Sequence, residues 1–300
     1  MKKIILDTDI GPDVDDVGAL ALLFQLAKMG YCEPIAVTNC TSSRYGTGCI
    51  DVIAHAYGFD NLPVGAWPQE GFLDHDRYTR YNRTLCEIFP NRFSSKEKIP
   101  DAIKILRQTL ANQTDKSVVM CAIGPLNNLS ALLNSSADEY SSLSGESLVA
   151  NKVQRLIIMG GGPSKLEWNY QMCPSAARDV SLRWPSEIWY TIAETGWNII
   201  TGMEWYDMIP QHPVRLAYTL YAPEGRMSWD LTAVWAAVME EKPYFILGQP
   251  GYSVCTGMPD GTSIFTPDIK GKHRYLYLDT PAEEVGRAFD KLICTAVLSC

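Results

Sequence analysis

The amino-acid sequence predicts an α/β fold: a single domain with a mostly parallel central sheet flanked by helices, Rossmann-like in layout. Three observations predict it. Short apolar runs that read as buried strands alternate with longer stretches that read as helices, which implies parallel strands and two covered sheet faces. No internal repeat and no linker divides the chain, so residues 1–300 read as one unit. A dense acidic cluster stands where the first strand ends, the edge at which open α/β sheets bind ligands.

The elements follow in order. Residues 3–6 form a short buried strand that ends at acidic residues. Residues 16–29 carry a broad apolar face (Val17, Leu20, Ala21, Leu23, Phe24, Ala27) and read as a helix stopped by Gly30. Residues 34–38 read as the next strand, 48–57 as a helix closed by Gly58, and 62–64 as a short third strand. Residues 67–99 are polar, aromatic and weakly periodic, a long surface excursion or lid. Alternation resumes with a helix over 101–110, a strand over 118–122 and a helix over 126–133. A soft Ser-rich connection, 134–147, leads to a strand over 153–159. A helix over 175–182, a strand over 197–200 and a helix over 228–241 follow, the last with Ser228 as a natural N-cap. Thr280 and Glu283 have capping-box spacing and predict a final helix.

Composition narrows the partners. Hydrophobic residues at 46% can fill a substantial core. A net charge of −8 would repel nucleic-acid phosphates and is easier to reconcile with a small neutral or cationic ligand. The apolar run after Lys3 stops at Asp7, too short for a signal core, and no stretch has the length to span a bilayer; a cytoplasmic protein without membrane association is expected. The nine cysteines are odd in number, scattered and free of any C-x-x-C pair, which favours reduced core thiols over disulfides or zinc.

The sharpest signal is DTDIGPDVDD, with Asp7, Asp9, Asp13, Asp15 and Asp16 inside ten residues at a strand-to-helix junction. A solvated acidic loop is the ordinary explanation for such a cluster. Here Gly11 and Pro12 allow a sharp turn that folds the acids together, and packed carboxylates need a cation or protons to coexist. Oxygen ligands of this kind suit Ca²⁺. An EF-hand is excluded, because a strand leads in and the twelfth position from Asp7 is Gly18 rather than Glu. A haloacid-dehalogenase-type Mg²⁺ phosphohydrolase also begins with D-x-D after a strand, with Asp7 as nucleophile, but has no use for Asp13, Asp15 and Asp16.

The chain resembles the inosine–uridine-preferring nucleoside hydrolase family. DTDIG followed by Asp15-Asp16 and Val17-Gly18-Ala19-Leu20 resembles the family's amino-terminal signature. CAIGPLNNLSAL (121–132), IIMGGG (157–162), Glu167-Trp168-Asn169 and Ser228-Trp229-Asp230 resemble its later landmarks, in family order. The resemblance implies the nucleoside hydrolase fold and Ca²⁺-dependent hydrolysis of the N-glycosidic bond of a riboside. It implies Asp9, Asp16 and Asp230 as metal ligands with the backbone carbonyl of Ile123, and Asp15 as the base for a metal-held water. Asp15 and Asp230 would also meet the ribose, and Met159, Glu167 and Asn169 would hold its 5′ side. A homodimer or homotetramer is implied as well.

Departures from the family pattern bear on mechanism. The acidic loop is two residues longer, which makes Asp13 a competitor of Asp15 for the role of base. Ile10 replaces a Pro and Ile123 a Thr. Trp229 stands where the family has a His able to protonate the departing base; Trp donates a hydrogen bond but is no acid at neutral pH. Trp229, Trp168 and tyrosines of the excursion are candidates to stack on the base. His75, between Asp74 and Asp76, is a candidate general acid. Without an acid, a Ca²⁺-dependent riboside-binding protein is the non-catalytic alternative.

Overall fold

The computed structural model describes residues 1–93, 99–163, 167–203, 205, 209–256 and 260–295. The first half runs β1 (Lys2–Thr8), α1 (Asp15–Lys28), β2 (Cys32–Asn39), α2 (Arg44–Ala56), β3 (Val64–Ala66), α3 (Tyr81–Ile88), α4 (Ala102–Ala111), β4 (Val118–Ala122), α5 (Asn127–Leu133), α6 (Gly145–Lys152) and β5 (Val153–Met159). The second half runs α7 (Trp168–Met172), α8 (Pro174–Arg183), β6 (Glu187–Thr191), α9 (Ala193–Gly196), β7 (Ile200–Thr201), α10 (Pro213–Tyr221), β8 (Arg226–Met227) and α11 (Trp229–Met239). It closes with β9 (Phe245–Leu247), β10 (Gly251–Cys255), β11 (Ser263–Pro267), β12 (His273–Leu278) and α12 (Ala282–Thr295).

The main sheet has ten strands in the order β11-β10-β12-β6-β5-β4-β1-β2-β3, with β9 paired to β12. From β3 to β12 through β1 every pairing is parallel, and only β9, β10 and β11 pair antiparallel at one edge. The pleat explains the continuous apolar runs. Ile4 and Leu6 face a core shared with α1 and α11, whereas Ile5 faces a second core with α4, α5 and α8. β4 and β5 divide the same way, Cys121 and Ile157 to one face, Met120 and Ile158 to the other. The order β3-β2-β1-β4-β5-β6 reverses direction of growth between β1 and β4, which opens a crevice beyond their carboxyl ends.

Several expectations need correction. The excursion contains a 3₁₀ turn, Asp76–Tyr78, and α3, whose Tyr81 and Leu85 are buried on one face; its residues 94–98 lie outside the described part. The predicted strand over 197–200 is wrong for most of its length. Trp197 ends α9, Ile200 enters a separate two-stranded ribbon with β8, and the sheet strand of this region is β6. Its side chains (Ile188, Trp189, Tyr190) are buried, yet the polar Glu187 and Thr191 bound it too closely to leave a clear apolar run. Ser228 precedes α11 but does not cap it; its hydroxyl pairs with Thr201 Oγ1 at 2.8 Å.

The Ser-rich connection is tied down by a cation. Arg107 on α4 is 2% exposed and grips Asp138 through Nε at 2.6 Å and Nη2 at 2.9 Å. It also donates to Ser135 Oγ and to the carbonyls of Ser141 and Leu143. α6 then starts at Ser144, whose Oγ accepts from Ser147 N. The described cysteines are all free, and no helix among the described residues is long and apolar enough to cross a membrane.

Candidate active site

The acidic loop divides its carboxylates by strand alternation. Asp7, the last but one residue of β1, points into the protein, where Thr38 Oγ1 (2.5 Å) and Asn128 Nδ2 (2.8 Å) donate to it. Burial raises its pKa to about 7. It therefore stitches β1 to β2 and α5, and it does not line the crevice. Thr8 accepts from Ile10 N and donates to Asp16, joining the loop to the start of α1. Gly11 lies at φ +145°, with Tyr78's carbonyl and Asn82's amide packed where a side chain would be. The hydroxyls of Tyr221 and Tyr81 donate to the carbonyls of Pro12 and Asp13, so the loop is fixed from the α10 and α3 sides.

Two helices begin at the same point. Asp15 and Asp16 occupy the first turn of α1, and Asp230 the first turn of α11, positions where the helix dipole favours negative charge. Asp230 N donates to Asp15 Oδ2 at 3.1 Å. One oxygen from each of Asp15, Asp16 and Asp230 lies within 4.8 Å of the others, and all three side chains are buried. Desolvation pushes all three well above the usual carboxylate range, followed by the charge of Asp13 for Asp15, of Asp9 for Asp16 and of Asp15 for Asp230. Asp9 borders the same space and accepts from Trp168 Nε1 at 3.3 Å; burial raises it to about 7 against the pull of that hydrogen bond.

Asp13 stands apart. Arg226 clasps it, Nε lying 2.9 and 3.1 Å from its two oxygens, with Nη2 closing the fork. No ion pair described in the structure engages Asp9, Asp15, Asp16 or Asp230. Buried, mutually repelling oxygen donors without a clasping side-chain cation are the donor set of a hard divalent ion, so the residues present fit such an ion.

These groups form the floor of a cavity of about 580 Å³, within the range of roughly 300–1,000 Å³ typical of small-molecule sites. Ile123, Met159, Glu167 and Asn169 line it from the ends of β4 and β5 and from α7. Asn169 Nδ2 donates to the carbonyls of Ile123 and Met159, both at 3.1 Å, and so joins the two strand ends. Glu167 caps α7, accepting from Asn169 N and Tyr170 N; burial, opposed by those bonds, raises it to about 7. The mouth is aromatic. Trp168 meets Tyr78 edge-on at 6.2 Å on one side, and Trp197 meets Trp229 at 5.8 Å on the other. Trp229 donates its indole N–H to Ala193 O at 3.0 Å, and Arg226 lies over its ring at 5.0 Å.

The structure thus brings Asp9, Asp15, Asp16, Asp230, Ile123, Met159, Glu167, Asn169 and Trp229 to one cavity. His75 is exposed ahead of the 3₁₀ turn and does not line it. Sequence reasoning missed the pairing of Arg226 with Asp13, the cavity position of Trp197, and Arg77 and Arg80 at the mouth. The first had one faint signal, a basic residue three positions before Trp229; the others had none.

No protein-family model matches the sequence, and no curated protein sequence matches it. Solved structures do match in shape. An inosine–uridine preferring nucleoside hydrolase from Bacillus anthracis superposes with a TM-score of 0.75 at 18% identity, over 99% of this chain and all of that one. A purine-preferring ribonucleoside hydrolase from Gardnerella vaginalis gives 0.71 at 18% over 99% of each chain. The type III effector XopQ, solved with adenosine diphosphate ribose, gives 0.72 at 15%, over 99% of this chain and 94% of that one. The chain has the nucleoside hydrolase fold.

Proposed function

We propose that this protein is a divergent nucleoside hydrolase, cleaving the N-glycosidic bond of a riboside to ribose and free base with Ca²⁺ as its metal. The observation that carries the reading is the convergence of Asp15, Asp16 and Asp230 at two helix starts, on the floor of a cavity in this fold. Asp9, Asp16, Asp230 and the Ile123 carbonyl would hold the ion. When bound, the ion supplies orientation of a water and of the sugar diol, and modest acidification of that water.

Asp15 is our base, in preference to Asp13, because Asp13's charge is spent on Arg226 while Asp15 accepts only the Asp230 N–H in the described contacts. The attacking water gives its proton to Asp15 and its oxygen to the anomeric carbon; the C–N electron pair leaves with the base. Surrounding carboxylates favour the positive charge that builds on the sugar. Met159 and Asn169 border the sugar's 5′ side, with Glu167 fixing the turn that presents Asn169. Trp229 offers the leaving base a ring face rather than a proton, since its N–H is committed to Ala193. The haloacid-dehalogenase alternative loses its support, because Asp7, its nucleophile, is buried between Thr38 and Asn128.

The test is free ribose released from a panel of purine, pyrimidine and modified nucleosides, with and without chelator. Release that stops on chelation and returns with Ca²⁺ is expected. Riboside binding with no release from any member would replace the enzyme with a binding protein.

A further inference from the structure

The charges lining the cavity are segregated. Its floor carries the carboxylates Asp9, Asp15, Asp16, Asp230 and Glu167, all buried. Its mouth carries two exposed arginines, Arg77 and Arg80, on and just after the 3₁₀ turn. Arg77 lies over the Tyr78 ring at 4.6 Å and Arg80 over the Tyr221 ring at 4.9 Å. Neither has an ion pair or hydrogen bond to a carboxylate among the described residues, whereas Arg83, one turn further, is paired with Glu87 at 3.0 Å. The turn is not free to wander: Tyr78 is buried, and its carbonyl abuts Gly11 of the acidic loop.

Two guanidiniums held by aromatic faces at the rim of an otherwise acidic cavity present forks that no described carboxylate uses toward an incoming ligand. A neutral nucleoside offers them hydrogen-bond acceptors but no charge to match their own. An anionic group at the floor would be repelled by the carboxylates, so it must sit at the outer end of the ligand. Resting on the function proposed above, we infer that the preferred substrate is an anionic riboside, whose phosphate or carboxylate is received by Arg77 and Arg80. The overall charge of −8 favours neutral or cationic ligands at a distance; at the mouth the two arginines reverse that preference.

The experiment compares uridine, orotidine (a carboxylate on the base) and uridine 5′-monophosphate (a phosphate on the sugar), by kcat/KM for ribose or ribose-phosphate release. In parallel, the binding of each with Ca²⁺ is followed by calorimetry. Wild type is set against Arg77→Gln/Arg80→Gln. At least one anionic riboside should exceed uridine by tenfold or more, and that ratio should collapse at least tenfold in the double variant and in 0.5 M salt. Which anion gains tells whether the mouth receives the base or the 5′ end. Uridine equal to or better than both anions, in turnover and binding, overturns the inference and leaves the hydrolase reading standing. A preference untouched by the double variant overturns it too. Arginine-dependent anion binding with no release from any compound supports the inference and sinks the hydrolase reading instead.

Discussion

Gly11→Ala tests how the acidic loop and the mouth are joined. The residue sits at φ +145°, and a methyl group there would lie 2.7 Å from Asn82 Nδ2 and 2.8 Å from the Tyr78 carbonyl. Asn82 is fully buried, and the Tyr78 oxygen is backbone, so relief requires the 3₁₀ turn to move. Backbone strain of about 1–3 kcal/mol and overpacking of about 1–3 kcal/mol give a loss of about 2–6 kcal/mol. For a chain of this size that is a fall in Tm of about 3–10 °C. The moved turn carries Arg77, Tyr78 and Arg80, so KM should rise about tenfold or more with a smaller change in kcat. Gly30→Ala is the control: its φ is +84° but nothing lies within 4 Å, so it meets strain without crowding. Thermal unfolding and ribose-release kinetics on both variants decide the matter. Equal Tm shifts and an unchanged KM in Gly11→Ala would refute the coupling of loop to turn.

Arg107→Ala removes the cation from solvent-accessible Asp138 and frees the carbonyls of 141 and 143; a loss of about 1–3 kcal/mol in urea unfolding is expected. Proteolysis should then cut within 134–147, and an uncut, equally stable variant would show the connection is held otherwise. Two groups should each subtract stability in acid, against the opposite contribution of the cavity and core carboxylates whose pKa burial raises. His212 is buried against Tyr57, and burial lowers its pKa to about 4, so the folded state resists a proton that the unfolded state takes up. That contribution is intact above about pH 6.5 and is lost as pH falls toward 4. Arg107 holds Asp138 down to about 2, so its contribution is lost only as pH falls from about 4 toward 2. In His212→Phe the loss between about pH 6.5 and 4 should shrink in a pH series of denaturant midpoints, with His273, whose pKa burial also lowers to about 4, keeping its own share, while the Asp138 loss at lower pH remains. Trp168→Phe removes the hydrogen bond to Asp9; calcium affinity should change several-fold by calorimetry, and an identical affinity would place Asp9 outside the ion's reach.

The parallel core was legible because its strands are buried on both faces: β4 and β5 span the predicted residues 118–122 and 153–159. The acidic loop was legible because five carboxylates in ten residues have few structural uses. What escaped notice depends on contacts distant in sequence. β6 mixes polar and aromatic residues and borrows its burial from β12, which pairs with it from the far end of the chain. α3 hides in a polar stretch because its apolar face is narrow. Asp13 and Asp15 look alike in sequence and are separated only by Arg226, more than two hundred residues away.

The central claim is that a carboxylate cluster held at two helix starts performs hydrolysis with Asp15 as the base. The most direct measurement is the single-turnover rate of ribose release by Asp15→Asn at saturating Ca²⁺, on the best nucleoside of the panel. A fall of about 10²–10⁴-fold with the ion still bound is the predicted result. A rate within a few-fold of wild type, with Ca²⁺ bound, would contradict it.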